Sequence, residues 1–277
     1  MPELPEVEVT RRGIAPYLDG QVVQQVILRR AGLRWPFPEN LQQTLQGQQV
    51  LSSGRRGKYL ILHFAHGVLI LHLGMSGHLR ILPPGVALQK HDHVDIVVGD
   101  GAATRVLRFT DPRRFGALLW HAHADGPWQQ HVLLQKLGVE PLEDGFDGQL
   151  LYQRSRNRST AIKQLLLAGD IVVGVGNIYC SESLFQAGIN PKTQAGRISL
   201  ARYQKLALAI QQILVAAILK GGSTLKDFVQ VNGQSGYFQQ DYFVYARTGQ
   251  PCRVCGQAIK HFVQGQRSTF YCAHCQR

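Results

Sequence analysis

The feature that most constrains the fold is a change of hydrophobic period near Pro127. From Gln21 to Trp120 the apolar residues recur at a spacing near two, in the runs QVVQQVILRR, KYLILHF, VLILHL, HVDIVVG and ALLWHA, with Gly, Pro or Asp between them. That period puts alternate side chains on one face of a pleated strand, so these runs predict an antiparallel sandwich or barrel. After Pro127 the spacing becomes helical. Helices are predicted over Gln129–Lys136, Thr160–Leu167, Asn177–Ala187 and Leu200–Leu219, the last Leu/Ala-rich and stopped by Gly221-Gly222. A further helix is expected over Glu6–Leu18, broken by Pro16. Strands followed by helices are the pattern of an α+β, two-domain protein, and 277 residues suffice for two cores.

Four of the five cysteines lie in the last 26 residues, as Cys252-x2-Cys255-x16-Cys272-x2-Cys275. Paired C-x-x-C units at this separation are the ligand pattern of a tetrahedral structural zinc. Two disulfides are the alternative, but they suit a secreted chain and nothing here resembles one. Between the pairs, Gly265-Gln266 can close a hairpin in GQAIKHFVQGQRSTFY, so that Arg267 projects from near its tip. A four-cysteine zinc has no open coordination position and receives no catalytic role. Cys180 sits in an apolar-periodic stretch and reads as a small buried hydrophobe. Residues 222–249 are rich in Gly, Gln, Tyr and Phe and read as a long loop. The expected division is 2–125, 126–221, 222–249 and 250–277.

A formal charge of +12 asks for a polyanionic partner. Arg55, Arg56 and Lys58 cluster, as do Arg105, Arg108, Arg113 and Arg114, and Arg154, Arg156, Arg158 and Lys163 without an acid among them. From Ala246 to Arg277 there are five Arg or Lys and no Asp or Glu. Clusters in every region point to one continuous basic face. No apolar run approaches the ~18 residues of a membrane span, and the first residues carry acids where a signal peptide carries positive charge. The chain reads as cytoplasmic or nucleoid-associated, with no membrane partner.

The opening Met-Pro-Glu-Leu-Pro-Glu allows a nucleophile at the N-terminus. A small residue after the initiator permits its removal, which leaves Pro2 with a free secondary amine. An α-amino group titrates at about 7.7–8.0, so an appreciable fraction is unprotonated at neutral pH. Such an amine attacks an electrophilic carbon and leaves a Schiff base. Glu3 and Glu6 set two carboxylates beside it as acid–base partners. Taken alone, the same residues better suit a helix start, where Pro fits the first turn and Glu complements the macrodipole.

Gly174-Val175-Gly176-Asn177 precedes the helix NIYCSESLFQAG. Glycines admit a ligand close to the backbone, and a helix N-terminus offers N–H groups to a phosphate, with Lys163 on the preceding helix adding charge. A helix–helix turn capped by Asn177 is the alternative. Asp111-Pro112-Arg113-Arg114-Phe115-Gly116 sets cations beside an aromatic, and Gly74-Met75-Ser76-Gly77 sets an apolar side chain between glycines. Arginine and an apolar wedge on loops are the means of entering a duplex and kinking it.

Together these segments resemble the formamidopyrimidine-DNA glycosylase family, bacterial base-excision enzymes for oxidised purines. MPELPEVE, GRRGKYL, LGMSGHLR, KHDHVD, FTDPRRFG, TAIKQLLL, GVGNIYCSE, GGSTLKDF and QGQRSTFYCAHCQR fall in the family's order along the whole chain. Val9 and Cys180 stand where Thr and Ala are common, away from any expected catalytic group. The resemblance implies an N-terminal antiparallel β-sandwich with a flanking helix, a helix–two-turn–helix region and a zinc finger holding one Zn2+. It implies a monomer that acts on double-stranded DNA carrying 8-oxoguanine or formamidopyrimidines.

The resemblance also implies roles. Pro2 attacks C1′ of the damaged nucleotide, Glu3 protonates the sugar ring oxygen and Glu6 positions the nucleotide. Lys58 is the proton donor for β-elimination and Arg267 for δ-elimination. His91, Arg158, Lys163, Asn177 and Tyr245 hold the DNA backbone. Met75, Arg113 and Phe115 fill the hole left by the flipped nucleotide, since the lesion cannot be reached inside the stack. Residues 222–245 close over the extruded base. An endonuclease VIII-like preference for oxidised pyrimidines is the alternative among enzymes. A non-catalytic zinc-finger DNA-binding protein is the alternative outside them; it fits the basic clusters and the cysteines but leaves Pro2 and Glu3 without a role.

Overall fold

The computed structural model describes residues 2–223 and 241–277. These fall into two compact units, residues 2–135 with 220–223, and residues 136–219 with 241–277. The part of the capping segment from 224 to 240 lies outside the described residues.

The first unit begins with helix α1 (Leu4–Leu18), strand β1 (Val23–Leu28) and the short helix α2 (Leu41–Leu45). Seven strands follow: β2 (Ser52–Arg56), β3 (Tyr59–Phe64), β4 (Gly67–His72), β5 (His78–Leu82), β6 (Asp92–Val98), β7 (Arg105–Thr110) and β8 (Ala117–Ala122). They pair antiparallel into two four-stranded sheets, ordered β1-β6-β7-β5 and β2-β3-β4-β8. Leu79, Ile96, Leu107 and Phe109 of one sheet meet Leu60, Leu62, Leu69, Leu71 and Leu118 of the other, and Val7, Ile14 and Leu18 of α1 join the same core. Each such leucine contributes about 1.5–3 kcal/mol by leaving water. This is the expected sandwich with its flanking helix.

Three differences from the sequence reading have local causes. α1 starts two residues before the expected Glu6 and runs through Pro16 to Leu18. The proline lies in the last turn, so it deletes one amide bond near an end where the helix stops in any case, with the Asp19 N–H donating to Ala15 O at 3.0 Å. The helix expected over Gln129–Lys136 is instead one 3-10 turn, Trp128–Gln130, followed by irregular turns. Val132, Leu133 and Leu134 are adjacent rather than helically spaced, and the His131 ring accepts the Leu133 N–H at 3.3 Å. Strands β2, β5 and β7 were not among the predicted runs because their sequences, SSGRR, HLRIL and RVLRFT, interrupt the apolar alternation with cations.

The second unit contains α3 (Gly148–Ser155), α4 (Ile162–Ala168), α5 (Asn177–Gln186) and α6 (Leu200–Leu219), then the hairpin strands β9 (Lys260–Gln264) and β10 (Arg267–Tyr271). α6 has the expected limits and buries Tyr203, Leu206, Ile210, Leu214 and Ile218 against α3 and α5. The unpredicted α3 is capped by Asp147, whose Oδ1 accepts the Leu150 N–H at 2.7 Å. Cys180 is fully buried, as expected. Among the described residues no helix is long and apolar enough to cross a membrane.

Candidate active site and metal centre

Pro2 and Glu3 are buried at the start of α1, with Glu3 at its N-cap and Pro5 in its first turn. The opening residues start a helix, as one of the two sequence readings has it, and that helix start sets the Glu3 carboxyl next to Pro2. Glu6, fully buried, explains how that acid is held. Its Oε2 accepts the Glu3 N–H at 2.8 Å, and its Oε1 accepts the Ser223 N–H at 2.8 Å and the Ser223 hydroxyl at 2.9 Å. The Glu6 carboxylate thus fixes the backbone of Glu3 and ties it to Ser223, a partner that no spacing or residue pattern marks.

Lys58 is half-buried in the two-residue turn Gly57-Lys58 that joins β2 to β3. Arg55 braces the turn by donating to Gly57 O at 3.0 Å, and reaches Glu8 Oε2 at 3.3 Å. Burial raises the Glu8 carboxyl, but hydrogen bonds and charge from Arg11, Arg12 and Arg55 outweigh it and bring the group down to about 2. His72 lies nearby on β4. Burial, with the charges of Lys58 and Arg34, holds it down at about 4, so the ring is neutral and its Nδ1 accepts the Gly74 N–H at 2.9 Å.

The loop residues of the same unit differ in exposure. Met75 is half-buried between β4 and β5, whereas Arg113 and Phe115 are exposed between β7 and β8, with the guanidinium 5.1 Å from the Phe115 ring centroid. His91 is half-buried just before β6. Arg108, by contrast, is buried. It forms a bidentate pair with Asp95 (2.9 and 2.9 Å) and donates to Val86 O and Ala87 O (3.2 and 3.1 Å), bracing the segment that leads to His91.

In the second unit Arg267 is exposed at the start of β10, directly after the turn Gly265-Gln266. Both turn residues have positive φ, 53° and 59°, the backbone of a type I′ hairpin. Lys163 corrects the sequence reading: it is fully buried rather than presented to a phosphate. Its Nζ donates to Ser268 O at 2.8 Å and Thr269 Oγ1 at 2.7 Å, and that hydroxyl donates to Arg267 O at 3.3 Å. Asn177 is not the helix cap either. Gly176 occupies that position, and the Asn177 side chain donates to Ser268 O at 3.0 Å. α4 and α5 therefore both grip the strand that carries Arg267.

The cluster of Arg154, Arg156, Arg158 and Lys163 is likewise reduced. Arg156 donates to the carbonyls of Tyr152, Ala195, Gly196 and Ile198, leaving Arg154 and Arg158 exposed in that cluster, and Arg158 faces Asp170 at 3.6 Å. Tyr245 packs on Phe270 at 5.0 Å between ring centroids. Its backbone position is set by Glu182 of α5, whose buried carboxylate accepts the N–H groups of Phe243, Val244 and Tyr245 at 2.8, 3.0 and 2.8 Å. Glu182 was missed because a lone acid in an apolar helix gives no sign of partners so distant in sequence.

Cys252, Cys255, Cys272 and Cys275 bring their four sulfurs within 4.8 Å of one another. The pairs Cys252–Cys275 and Cys255–Cys272 lie 3.9 and 3.4 Å apart. A tetrahedron with zinc–sulfur bonds of about 2.3 Å has edges of about 3.8 Å, so the donor set fits one structural zinc. Burial and the neighbouring thiols push the Cys275 thiol up to about 12, whereas backbone N–H groups offset burial at Cys252 and bring it down to about 7. A divalent cation resolves that conflict by holding all four as thiolates.

Comparison with known proteins gives a consistent result along the chain. The model of the formamidopyrimidine-DNA glycosylase N-terminal domain matches residues 1–118, that of the formamidopyrimidine-DNA glycosylase H2TH domain residues 137–229, and that of the zinc finger found in FPG and IleRS residues 249–277. A formamidopyrimidine-DNA glycosylase from Herminiimonas arsenicoxydans is 70% identical over 277 residues, with 100% of each chain covered. Among solved structures, the complex of a Lactococcus lactis FPG mutant with Fapy-dG containing DNA matches with a TM-score of 0.90 at 31% identity, covering 100% of each chain. The complex of Lactococcus lactis Fpg with abasic site containing DNA matches with a TM-score of 0.89 at 32% identity, covering 99% of each.

Proposed function

The chain belongs to the formamidopyrimidine-DNA glycosylase family, DNA glycosylases with abasic-site lyase activity in base excision repair, and from this premise we propose that it excises oxidised purines through Pro2. The observation that carries the reading is the buried Pro2–Glu3 pair whose backbone Glu6 fixes. In the proposed reaction the Pro2 amine attacks C1′ of a flipped nucleotide and the bond to the base breaks. The base leaves with the electron pair and takes up a proton. Glu3 protonates the ring oxygen, the sugar opens and a Schiff base forms between Pro2 and C1′. Loss of the C2′ proton then breaks the bond from C3′ to its phosphate oxygen, with Lys58 the proton donor. A second elimination removes the C4′ proton and breaks the bond from C5′ to its phosphate oxygen, with Arg267 the donor to the departing phosphate, and water then hydrolyses the Schiff base and frees Pro2.

His91, Arg158, Asn177 and Tyr245 are assigned to the DNA backbone, and Lys163 to the support of the Arg267 strand. Met75, Arg113 and Phe115 are assigned to the gap left by the flipped nucleotide. Arg113 carries donors and no acceptor, so it suits the O2 and N3 acceptors of cytosine, whereas the N6 amino group of adenine opposes it. Excision is therefore faster opposite cytosine than opposite adenine, by a mismatch of about 1–3 kcal/mol. The four-part division into a catalytic sandwich, a helical region, a capping segment and a zinc hairpin follows the same reading, as does a nucleoid-associated location.

The test is sodium borohydride trapping on a duplex containing 8-oxoguanine opposite cytosine, followed by mapping of the cross-linked peptide. The expected cross-link is at Pro2. Active protein that retains Met1, or a cross-link confined to Lys58, overturns the mechanism. Trapping only on oxidised pyrimidines would move the substrate class and leave the chemistry standing.

A further inference from the structure

Within the first unit, the loops carrying Met75, His91 and Arg113–Phe115 meet at two side chains that the reaction above does not use. Asp111 is fully buried. Its Oδ1 accepts the Ser76 hydroxyl at 3.0 Å, and its Oδ2 accepts the Gly116 N–H at 2.8 Å. The buried Ser76 hydroxyl in turn accepts the Arg113 N–H at 3.2 Å. The pair thus brackets the wedge loop, Ser76 at Arg113 and Asp111 at Gly116, while Ser76 directly follows Met75. The Asp111 backbone is anchored as well, its N–H donating to His91 O at 3.0 Å and its carbonyl lying 2.9 Å from His93 Nε2.

The surrounding backbone leaves no slack. A Cβ on Gly74 would fall 2.5 Å from Gly116 N, so the two loops touch main chain to main chain. Arg114 has φ of 58°, a left-handed conformation that costs a non-glycine residue about 1 kcal/mol or more and persists only where neighbours over-determine it. That reversal lets the Arg113 guanidinium lie against the Phe115 ring.

We infer that Asp111 and Ser76 are positioning residues that lock Met75, Arg113 and Phe115 into one preformed wedge, and so set how strongly the enzyme distinguishes the base opposite the lesion. The inference rests on the assignment of those three side chains to the gap. A wedge fixed before binding meets the orphaned base with its donors already aimed, whereas a loose one adapts to either base.

The experiment measures single-turnover excision of 8-oxoguanine opposite cytosine and opposite adenine by Ser76→Ala, Asp111→Asn, Ser76→Thr and Arg113→Ala. Alongside it, borohydride trapping is measured on a single-stranded abasic oligonucleotide, which has neither gap nor opposite base. Ser76→Ala is expected to lower the cytosine-to-adenine ratio roughly threefold to tenfold, the worth of the lost hydrogen bonds. Asp111→Asn lowers it in the same direction, Ser76→Thr restores it, and single-strand trapping changes by less than about twofold. An unchanged ratio in both Ser76→Ala and Asp111→Asn, beside a lowered ratio in Arg113→Ala, overturns the inference and leaves the wedge assignment standing. A parallel fall in single-strand trapping also overturns it, because that is the mark of a merely structural role. An unchanged ratio in Arg113→Ala removes the wedge assignment and this inference with it.

Discussion

In the first unit Glu3 is held by Glu6, its neighbour one helical turn away, in a capping box in which each side chain accepts the other's main-chain N–H. In the second unit Arg267 is held by Lys163, which reaches a strand 106 residues further on, and by four cysteines that need a metal to close around. The acid is therefore placed chiefly by local helix geometry, with Ser223 bracing Glu6 from afar, and the cation by tertiary contacts and a cofactor. Disturbing the first should change the chemistry and leave the fold; disturbing the second should change where the chemistry is delivered.

The largest expected effect tests the local arrangement. Glu3→Gln should bind lesion DNA as the wild type does yet excise about 10²–10⁴-fold more slowly, the usual loss for one general acid. Single-turnover excision beside a binding titration decides it, and a matching loss of binding would mean that Glu3 holds the nucleotide instead. Next comes the metal. Cys272→Ser, or chelation of the zinc, should weaken duplex binding by more than about tenfold through displacement of Arg267, while the sandwich keeps its own thermal transition. Full excision by protein shown to be metal-free would break the comparison.

A smaller effect sharpens it. Lys163→Met removes the buried ammonium and leaves Thr269 Oγ1 without that donor. The yield of δ-elimination relative to β-elimination should fall roughly fivefold, the cost of about one hydrogen bond. The salt dependence of duplex binding should not change, because a buried lysine neutralises no phosphate. A slope shallower by about one unit would put Nζ on the DNA after all. The least effect on chemistry belongs to Glu8. Its folded-state carboxyl lies at about 2, against the usual 4.5, so its contribution is complete above 4.5 and disappears as pH falls from there toward 2. Over that window the wild type should lose up to about 3 kcal/mol more stability than Glu8→Gln, with both proteins equally active at neutral pH. Acid titration of unfolding in urea measures the difference.

What could be read from the sequence follows the same division. α6 carries its limits in an unbroken Leu/Ala period and a Gly-Gly stop, and β3 and β4 carry theirs in short apolar runs separated by a turn, so these elements were legible. β7 was not, because Arg108 occupies a buried position that Asp95 and Asp92 make tolerable, and those partners come from another strand. The four cysteines were legible because their spacing is itself the site. The basic clusters misled for a physical reason: a sequence gives the charge of Lys163 and Arg156 but not the carbonyls that take up their donors. Glu182 and Asp111 were silent because carboxylates that collect backbone N–H groups leave no pattern in side-chain type.

The bond between Glu6 and Ser223 has a consequence for how the chain is made. The two residues lie 217 positions apart, and one carboxylate oxygen takes both donors of Ser223. At about 5–20 residues per second, a ribosome needs roughly 10–40 s after releasing Glu6 to deliver that partner. During that interval the strands of the sandwich can pair, but the turn bearing Glu3 lacks a hydrogen-bonded contact it has in the finished molecule. The first stretch synthesised is thus among the last to be fully set, and a nascent chain carries its acid in an unfinished mount until the four helices of the second unit have been translated.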